Sequence, residues 1–416
     1  MGTRVFGDTA VVSNPSSTLV NPSVRKVGGA VDFPLLLIMI AILVFGLLMV
    51  FSASWDFSLG TYGDAMYMFY RQVLWMVMGV LAAVLLSRLD YHNWRRLSVW
   101  VMLVTIILLS LVLFLNDKRL GAVRSIFGGS IQPSELAKVI TVIYLSVWIH
   151  SKREQLHDIQ WGLIPLAVIL GIIGGLIYIQ PDLSAAATVL MLGGLLFFLG
   201  GGDLKQIIFL LIIAIIVGVL VVQVSATGQD RVGAYLSGIK DPTQASYHVR
   251  RSFEAIVKGG WFGVGIGRAN TKLTGLPVPP TDSIFAVIAE ELGLVGAAGT
   301  VLLYILLIWR GLRIADKAPD LLGSLLASGL TFWIAMEAII NMLVMVGLLP
   351  FAGNALPFIS AGGSNLVASL TAIGILMNVS RQIEPQAESE EWRNFGATTD
   401  LRGRNRRRGL SRISRS

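Results

Sequence analysis

The sequence predicts an all-α polytopic membrane protein with about ten transmembrane helices. Three observations support this: 54% of the 416 residues are hydrophobic, only 14% are charged, and the mean hydropathy is +0.72. Soluble domains are about 45–50% apolar and about 25% charged, and here the apolar residues form long uncharged runs. The chain has no cysteine, which excludes disulfide scaffolds, thiolate nucleophiles and cysteine-ligated zinc. With only four histidines, a histidine-built metal centre is not expected either.

Ten apolar segments are candidate spans, because a helix crosses a bilayer with about 20 mostly apolar residues. The second and fourth segments are short, and we expect them to extend into flanking residues. In order, the segments cover residues 33–53, 73–87, 98–115, 136–149, 161–179, 185–201, 206–225, 284–309, 321–349 and 364–380.

Lysine and arginine concentrate in the N-terminal arm, in alternate short loops and after the last span, which predicts that both termini lie inside. We therefore expect a cytoplasmic arm over 1–32, a transmembrane domain over 33–380 and a basic cytoplasmic tail over 381–416. The tail favours anchoring to anionic lipid, with partner docking as the alternative. One long extracytoplasmic loop, 226–282, precedes the eighth span, and its glycine-rich and aromatic sequence GGWFGVGIG predicts order.

Charged side chains within a membrane cost about 2.5–3.5 kcal/mol on insertion scales, so they mark candidate sites. Glu135 and Lys138 follow Pro133 and share one helix face. Arg124 precedes them in the outer loop. These residues predict either a structural ion pair or a polar wall whose cations bind an anionic head group.

Two further acidic positions lie at the predicted outer ends of spans. Asp182 either caps the sixth span or faces an outer cavity. Asp282 either caps the eighth span or acts as a general base at the boundary between water and membrane. Glu290 and Glu291 lie roughly 12–13 Å deeper, at about 1.5 Å per residue, and require partners.

The last cluster surrounds the segment GLLPFAGNALPFISAGGSN. Glu337 and Asn341 precede it, four residues apart on one helix face. The glycines and serines before the tenth span predict either an anion-binding turn of backbone N–H groups or a tight re-entrant connector. The turn residues concerned are Ser360, Gly362, Gly363 and Ser364.

These segments, in this order, resemble the SEDS family of FtsW, RodA and SpoVE proteins over residues 32–380. The matching pieces are FGLLMVFSAS, YRQVLW, IQPSELAK, QPDLS, DRVGAYL, DPTQASYH, GGWFGVGIG, PTDSIFAVIAEELGLVG and GLLPFAGNALPFISAGGSN. The resemblance implies a peptidoglycan glycosyltransferase of the bacterial cytoplasmic membrane that polymerises glycan strands from lipid II, with its active site outside. It also implies work with a class B penicillin-binding protein and other division or elongation membrane proteins, with membrane lipid around it and no role for nucleic acid.

By the same resemblance, Asp282 corresponds to the essential aspartate of the family and is the expected catalytic base. The expected reaction inverts the donor sugar and releases polyprenyl diphosphate, which cations hold. A divalent cation, Mg²⁺ or Mn²⁺, is left open as a cofactor. The residues expected to bind substrate are Arg124, Gln132, Glu135, Lys138, Asp182, Arg231, Arg251, Glu337, Asn341, Ser360, Gly362, Gly363 and Ser364.

Several positions depart from the family pattern, which indicates a divergent member, and no histidine of the family motif precedes Asp282. The N-terminal arm and basic tail favour a division-type role over elongation. A lipid II flippase and a non-catalytic scaffold for a penicillin-binding protein are the alternative functions. The departures are Ser125, Ser184, Arg251, Val278, Pro280, Glu337 and Ala361.

Overall fold

The computed structural model describes residues 31–115 and 132–383, and the regular structure in these two ranges is entirely helical. A π-helical turn, Ile159–Leu163, leads into the fifth helix, and short 3₁₀ turns join several others. The helices are α1 (Phe33–Tyr62), α2 (Tyr67–Arg88), α3 (Trp94–Leu115), α4 (Pro133–Lys152), α5 (Ile164–Ile179), α6 (Leu183–Leu199), α7 (Leu204–Val224), α8 (Ala226–Lys240), α9 (Tyr247–Gly259), α10 (Ile284–Asp316), α11 (Leu321–Met345) and α12 (Gly363–Arg381).

Within the described residues, eight helical segments are long and apolar enough to cross a membrane. They contain α1, α2, α3, α5, α7, α10, α11 and α12. The other two predicted spans correspond to α4, whose first turns carry Glu135 and Lys138, and to α6, which has only 17 residues. The polytopic all-α class is therefore confirmed, whereas the count of ten and the direction of insertion stay predictions.

Several helix ends differ from the predicted ones for physical reasons. α2 and α4 begin before their apolar runs, as the shortness of those runs predicted. α10 continues to Asp316, seven residues past the predicted end, because its last turns are polar and an apolar run does not report them. α11 stops at Met345 rather than at residue 349, since Gly347 has a φ of 70° and breaks the helical path.

The helices pack around α11 and α12, the most buried of the apolar spans. α12 lies against α2, where Gly374 approaches the backbone of Ala83 closely. α7 is at the other extreme, because its apolar stretch has no buried residue and it packs beside α6 and α8. At the far end of α10, Arg310 makes a two-pronged ion pair with Asp32, the N-cap of α1, at 2.7–3.1 Å.

The long segment before α10 is ordered, and it folds back along the helix bundle. α9 is strongly amphipathic and runs beside the first turns of α10 in the same direction, so that Gly259 lies against Ala289. At 1.5 Å per residue, Gly259 is about 10 Å below Asp282 along α10. The chain then turns at Trp261 and Phe262, which are 70% and 84% exposed. From this turn it returns along α10 to Asp282. A segment predicted to lie wholly outside thus reaches well below the top of α10.

A kink in α10 receives this returning chain. Gly293 has φ 68° and ψ −165°, and a side chain there would collide with the backbone of Trp261. Residues 260–265 make backbone hydrogen bonds to residues 290–295 across the kink. The buried carboxylates of Glu290 and Glu291 fix the remaining part of the loop.

The two carboxylates have different partners, all of them on the loop or on α1. Glu290 accepts from the backbone of Asn270, at 2.9 Å, and from the hydroxyl of Thr271. Glu291 accepts from Ser52 of α1 and pairs with Lys272 at 3.1 Å. Buried carboxylates are stable only with such partners, so this pair holds the loop in place.

Candidate active site

Asp282 sits on a backbone segment that is fastened at three consecutive carbonyl groups. The backbone N–H of Ala361 donates to Pro280 at 2.8 Å, and the Ser360 hydroxyl donates to Thr281 at 2.7 Å. The amide of Asn341 donates to the carbonyl of Asp282 itself at 2.9 Å. The half-buried carboxylate is thus presented from a rigid support formed by α11 and the turn before α12.

The surroundings of this carboxylate come from the loop after α11. A Cβ on Gly353, which has a φ of 64°, would lie 3.5 Å from Asp282 Oδ2 and 3.9 Å from the ring of Phe351. His248 of α9 stacks on that ring with centroids 4.0 Å apart, and the Arg231 guanidinium lies 5.7 Å from its centroid. Phe351 therefore brings a histidine and an arginine of the long loop to the neighbourhood of Asp282.

Burial and the nearby charge of Arg231 hold the pKa of His248 below its usual value of 6.5. Burial opposes the charged form of a histidine, and a neighbouring cation opposes it further. His248 is consequently neutral at pH 7. This histidine lies inside DPTQASYH, one of the pieces that resemble the family, but no role was predicted for it.

A second polar group lies between α4, α11 and α12. Lys138 donates to Glu135 at 2.9 Å and also to Glu337, and its side chain is only 4% exposed. Asn365 donates to both carboxylates, at 2.8 and 3.0 Å, and the Trp333 indole donates to Glu337. Two carboxylates thus share one ammonium group in a buried setting, and these three side chains, Glu135, Lys138 and Glu337, are called the charge triad below.

Asp182 caps α6, as one of its two predicted roles required. Its Oδ1 accepts from the backbone N–H of Ala185 at 3.2 Å, and its Oδ2 accepts from Gln132 at 3.0 Å. The backbone N–H of Gln132 donates to the Ser364 hydroxyl at 2.7 Å. The starts of α4, α6 and α12 are therefore joined by one set of hydrogen bonds.

The structure brings most of the predicted residues into one connected region. Asn341 under Asp282 and Glu337 in the charge triad are one turn apart on α11, and Ser364 and Asn365 join the triad to Gln132 and Asp182. Gly363 of the turn serves packing, since it lies directly against Trp75. This agrees with the connector alternative, whereas anion binding there stays a prediction.

One predicted cation stands apart from this region, and another lies outside the described residues. Arg251 pairs with Glu254 at 2.6 Å and lies over the ring of Tyr247, on the exposed side of α9. Arg124 lies outside the described residues, as does Ser125. Lys138 is already engaged by two carboxylates, whereas Arg231 lies over the ring of Phe351, which is close to Gly353 beside Asp282.

Several contributing residues were not predicted. Asn365 and Trp333 hold the charge triad, and Ser52 and Lys272 hold Glu291. Asn365 was visible as the polar residue following the glycine-rich turn. The two partners of Glu291, Ser52 and Lys272, are 220 residues apart from each other, in parts of the chain that no local pattern connects.

Metal ligands are sparse in the described part of the chain, which has no group of three or more histidine, aspartate or glutamate side chains able to hold an ion. Oxygen ligands suit Mg²⁺ and Mn²⁺, however. Beside Asp282, the side-chain oxygens of Asn341 and Asn354 are buried and have no hydrogen-bond partner among the described residues. These three oxygen donors fit a hard divalent cation in chemistry.

Comparison with known proteins gives matches along most of the chain. The profile of the FtsW, RodA and SpoVE family, described as cell cycle protein, matches residues 33–384. A probable peptidoglycan glycosyltransferase FtsW of Trichlorobacter lovleyi is 38% identical over 353 residues, 84% of this chain and 93% of the relative. Stage V sporulation protein E of Bacillus subtilis is 35% identical over 357 residues, 84% of this chain and 97% of the relative.

Solved structures show the same fold. A chain of a peptidoglycan synthase complex that coordinates polymerization and crosslinking superposes with a TM-score of 0.71 at 27% identity, over 86% of this chain and 99% of that one. The rod shape determining protein RodA of Thermus thermophilus superposes with a TM-score of 0.63 at 26% identity, over 85% and 98%.

Proposed function

The chain belongs to the FtsW, RodA and SpoVE family of cell cycle proteins, and from this membership and the geometry around Asp282 we propose that it is a membrane-embedded peptidoglycan glycosyltransferase. It polymerises glycan strands from lipid II at the outer face of the bacterial cytoplasmic membrane. Relatives named FtsW and a sporulation protein favour a division-type role. Its partner is a class B penicillin-binding protein, in line with the synthase complex whose chain shares this fold.

The observation that carries the proposal is the fastening of three consecutive carbonyls around Asp282. A general base has to be held within hydrogen-bond reach of the hydroxyl that it deprotonates, and a rigid support reduces the cost of reaching that geometry. Asp282 takes the proton of the acceptor sugar hydroxyl as the hydroxyl oxygen bonds to the anomeric carbon of the donor. The bond from that carbon to the polyprenyl diphosphate breaks in the same displacement, so the anomeric configuration inverts.

The departing diphosphate needs positive charge rather than a protonated leaving group. Arg231, which lies over the ring of Phe351, provides this charge, and Arg124 is its predicted companion. The charge triad contributes indirectly. It fixes α4, α11 and α12 relative to one another, and Asn341 of α11 and the turn before α12 in turn position Asp282.

We also propose that a divalent cation, Mg²⁺ or Mn²⁺, supports the reaction. The oxygens of Asp282, Asn341 and Asn354 would hold it, and it would supply charge neutralisation for the diphosphate. Polymerisation by the purified protein in chelator-treated buffer, with each metal added back, tests this proposal, and undiminished activity after chelation would overturn it.

The direct test of the enzyme proposal is the rate of glycan polymerisation from lipid II by the purified chain and its Asp282→Asn variant. This substitution keeps the side-chain shape but removes the base, and we expect a loss of about 10²-fold or more. Asp230→Asn, an exposed change in the same outer segment, is the matched control and keeps its activity.

Wild-type rates in Asp282→Asn would refute the assignment of the base. A lipid II translocation assay on the same preparations separates the flippase alternative, which predicts transport without polymer. A scaffold would recruit its synthase but form no polymer with any variant.

A further inference from the structure

At the end of the bundle opposite Asp282, a cavity of about 290 Å³ opens between α2, α3 and α12. That end is identified by the turn between α10 and α11, because Tyr91 and His92 at the start of α3 bond to Asp320 of that turn at 2.8 and 3.0 Å. The cavity is therefore separate from the proposed active site and plays no part in its chemistry.

The wall and the rim of the cavity differ in character. Leu86 of α2, Leu97 of α3 and Ile375 of α12 supply an aliphatic wall, and Asn93 and Arg96 supply polar groups at the rim. This combination suits a molecule with a hydrocarbon part and a negatively charged head. A volume near 300 Å³ is at the lower end of the range for small-molecule sites, so the cavity holds part of such a molecule and leaves the rest along the helices.

The charge of Arg96 is available for a ligand. Its side chain is exposed, and it makes no hydrogen bond or ion pair with any residue in 31–115 or 132–383. Its neighbour Arg95, in contrast, contacts His150 at 3.1 Å and Asp320 at 3.5 Å.

The single carboxylate at the cavity makes no ion pair with Arg96 and has other hydrogen-bond donors. Asp90 accepts from the backbone and ring nitrogens of His92, at 2.9 and 2.7 Å, and from Gln382 at 2.9 Å. Arg96 is therefore the one arginine or lysine that lines the cavity, and it has no carboxylate partner among the described residues.

We propose that this cavity binds one phospholipid with an anionic head group, taken from the leaflet opposite Asp282. Arg96 and Asn93 hold the phosphate, and one acyl chain enters between Leu86, Leu97 and Ile375. Basic pockets between transmembrane helices are a recognised way of binding anionic lipid, and complementarity of charge at the rim and of hydrocarbon at the wall points to the same occupant.

The bound lipid would connect three helix ends that the protein already links by polar contacts. Asn378 of α12 accepts from the backbone N–H of Tyr91 at 2.9 Å and donates to the carbonyl of Ser87 at 3.1 Å. A lipid seated beside Asn378 therefore stabilises the junction of α2, α3 and α12.

The test is native mass spectrometry of the full purified chain in zwitterionic detergent, titrated with dioleoylphosphatidylglycerol or dioleoylphosphatidylcholine. We expect the wild type to retain one phosphatidylglycerol. Arg96→Gln should need about fivefold more of it, the equivalent of about 1 kcal/mol for one cation near an anionic lipid. Leu97→Trp, which fills the cavity, should lose the retained lipid as well.

Arg153→Gln is the matched control, because it removes an exposed arginine that directly follows α4 at the same end of the helix bundle as the cavity. This variant should bind phosphatidylglycerol as the wild type does. Both test positions have exposed side chains, so folding is preserved, and elution profiles verify this. Equal retention of phosphatidylcholine, or equal binding by Arg96→Gln and Arg153→Gln, would overturn the proposal.

Discussion

The charge triad makes Lys138 the residue whose removal should harm the fold most. Its ammonium is the only cation contacting Glu135 and Glu337 within the described residues, and the side chains of Lys138 and Glu337 are 4% and 2% exposed. Removing one partner of a buried ion pair costs about 3–5 kcal/mol, because the remaining charge is left without compensation. Lys138→Met leaves two carboxylates in that state, so we expect a loss at the upper end of this range.

The second variant follows from the same geometry. Glu337→Gln added to Lys138→Met removes one of the two uncompensated charges, while the amide oxygen still accepts from Trp333. We therefore expect the double variant to regain about 2 kcal/mol relative to Lys138→Met alone, a coupling typical of residues in direct contact.

The assay is equilibrium unfolding in mixed micelles with increasing dodecyl sulfate, followed by tryptophan fluorescence. Lys152→Met is the control, since it removes the same side chain from the other end of α4, where the lysine contacts Gln155 at the surface. Surface changes of this kind are worth within about 0.5 kcal/mol. If Lys138→Met were no less stable than Lys152→Met, or the double variant no more stable than Lys138→Met, the reasoning would fail.

Three further predictions concern α9 and the region around Asp282. Ser360→Ala leaves a backbone carbonyl and a backbone N–H unpaired, so we expect a stability loss of about 1–3 kcal/mol and slower polymerisation in the lipid II assay. Gly259→Ala places a methyl group against the carbonyl of Ala289, and overpacking of this kind costs about 1–3 kcal/mol, measurable by the same unfolding titration. Because the folded pKa of His248 lies below its unfolded value of 6.5, the unfolded state binds more protons at low pH. Stability is then complete above about pH 6.5 and falls as the pH drops below it, and His248→Gln should reduce the difference in unfolding midpoint between pH 7.5 and pH 5.5.

Each of these three variants has a control that changes the same residue type at a position without the contact in question. Ser237→Ala changes a serine of α8 that makes no side-chain hydrogen bond with a described residue. Gly233→Ala meets open space and should be neutral or slightly stabilising, since alanine favours helices by about 1 kcal/mol. His157→Gln changes an exposed histidine. A Ser360 or Gly259 variant as stable as its control, or an unaltered pH difference in His248→Gln, would contradict the respective prediction.

The sequence predicted the helical membrane fold well because its signal is local: an uncharged run of about 20 residues is visible without knowing its neighbours. The same locality explains why α4 was identified in spite of its charges, since Glu135, Lys138 and Pro133 follow the pattern of a helix start. The helix ends beyond the apolar runs, as in α10, carried no such signal.

The residues of the site could be predicted from the sequence, but the contacts that join them could not. Asp282, Ser360 and Asn341 could be selected from their order and polarity. That they join through three successive carbonyls, however, depends on contacts between positions up to 81 residues apart. His248 and Phe351 were missed for the same reason, because stacking between two distant loops leaves no periodic trace. The course of α9 was also hidden, as a loop rich in glycine gave no indication of its depth.

The course of α9 fixes the distance between Asp282 and the turn at Trp261 and Phe262. Trp261 lies against Gly293, eleven residues past Asp282, so Trp261 and Phe262 form an apolar tip about 16 Å below Asp282 along α10. In a bilayer such a tip follows the hydrocarbon boundary while the three fastened carbonyls fix the carboxylate at the other end. The height of Asp282 above the acyl chains is then set by the protein, whereas the height of the diphosphate is set by the lipid. Helical proteins adapt to membranes of different thickness by tilting or by deforming the bilayer. The difference in height between Asp282 and the diphosphate would therefore change with membrane thickness.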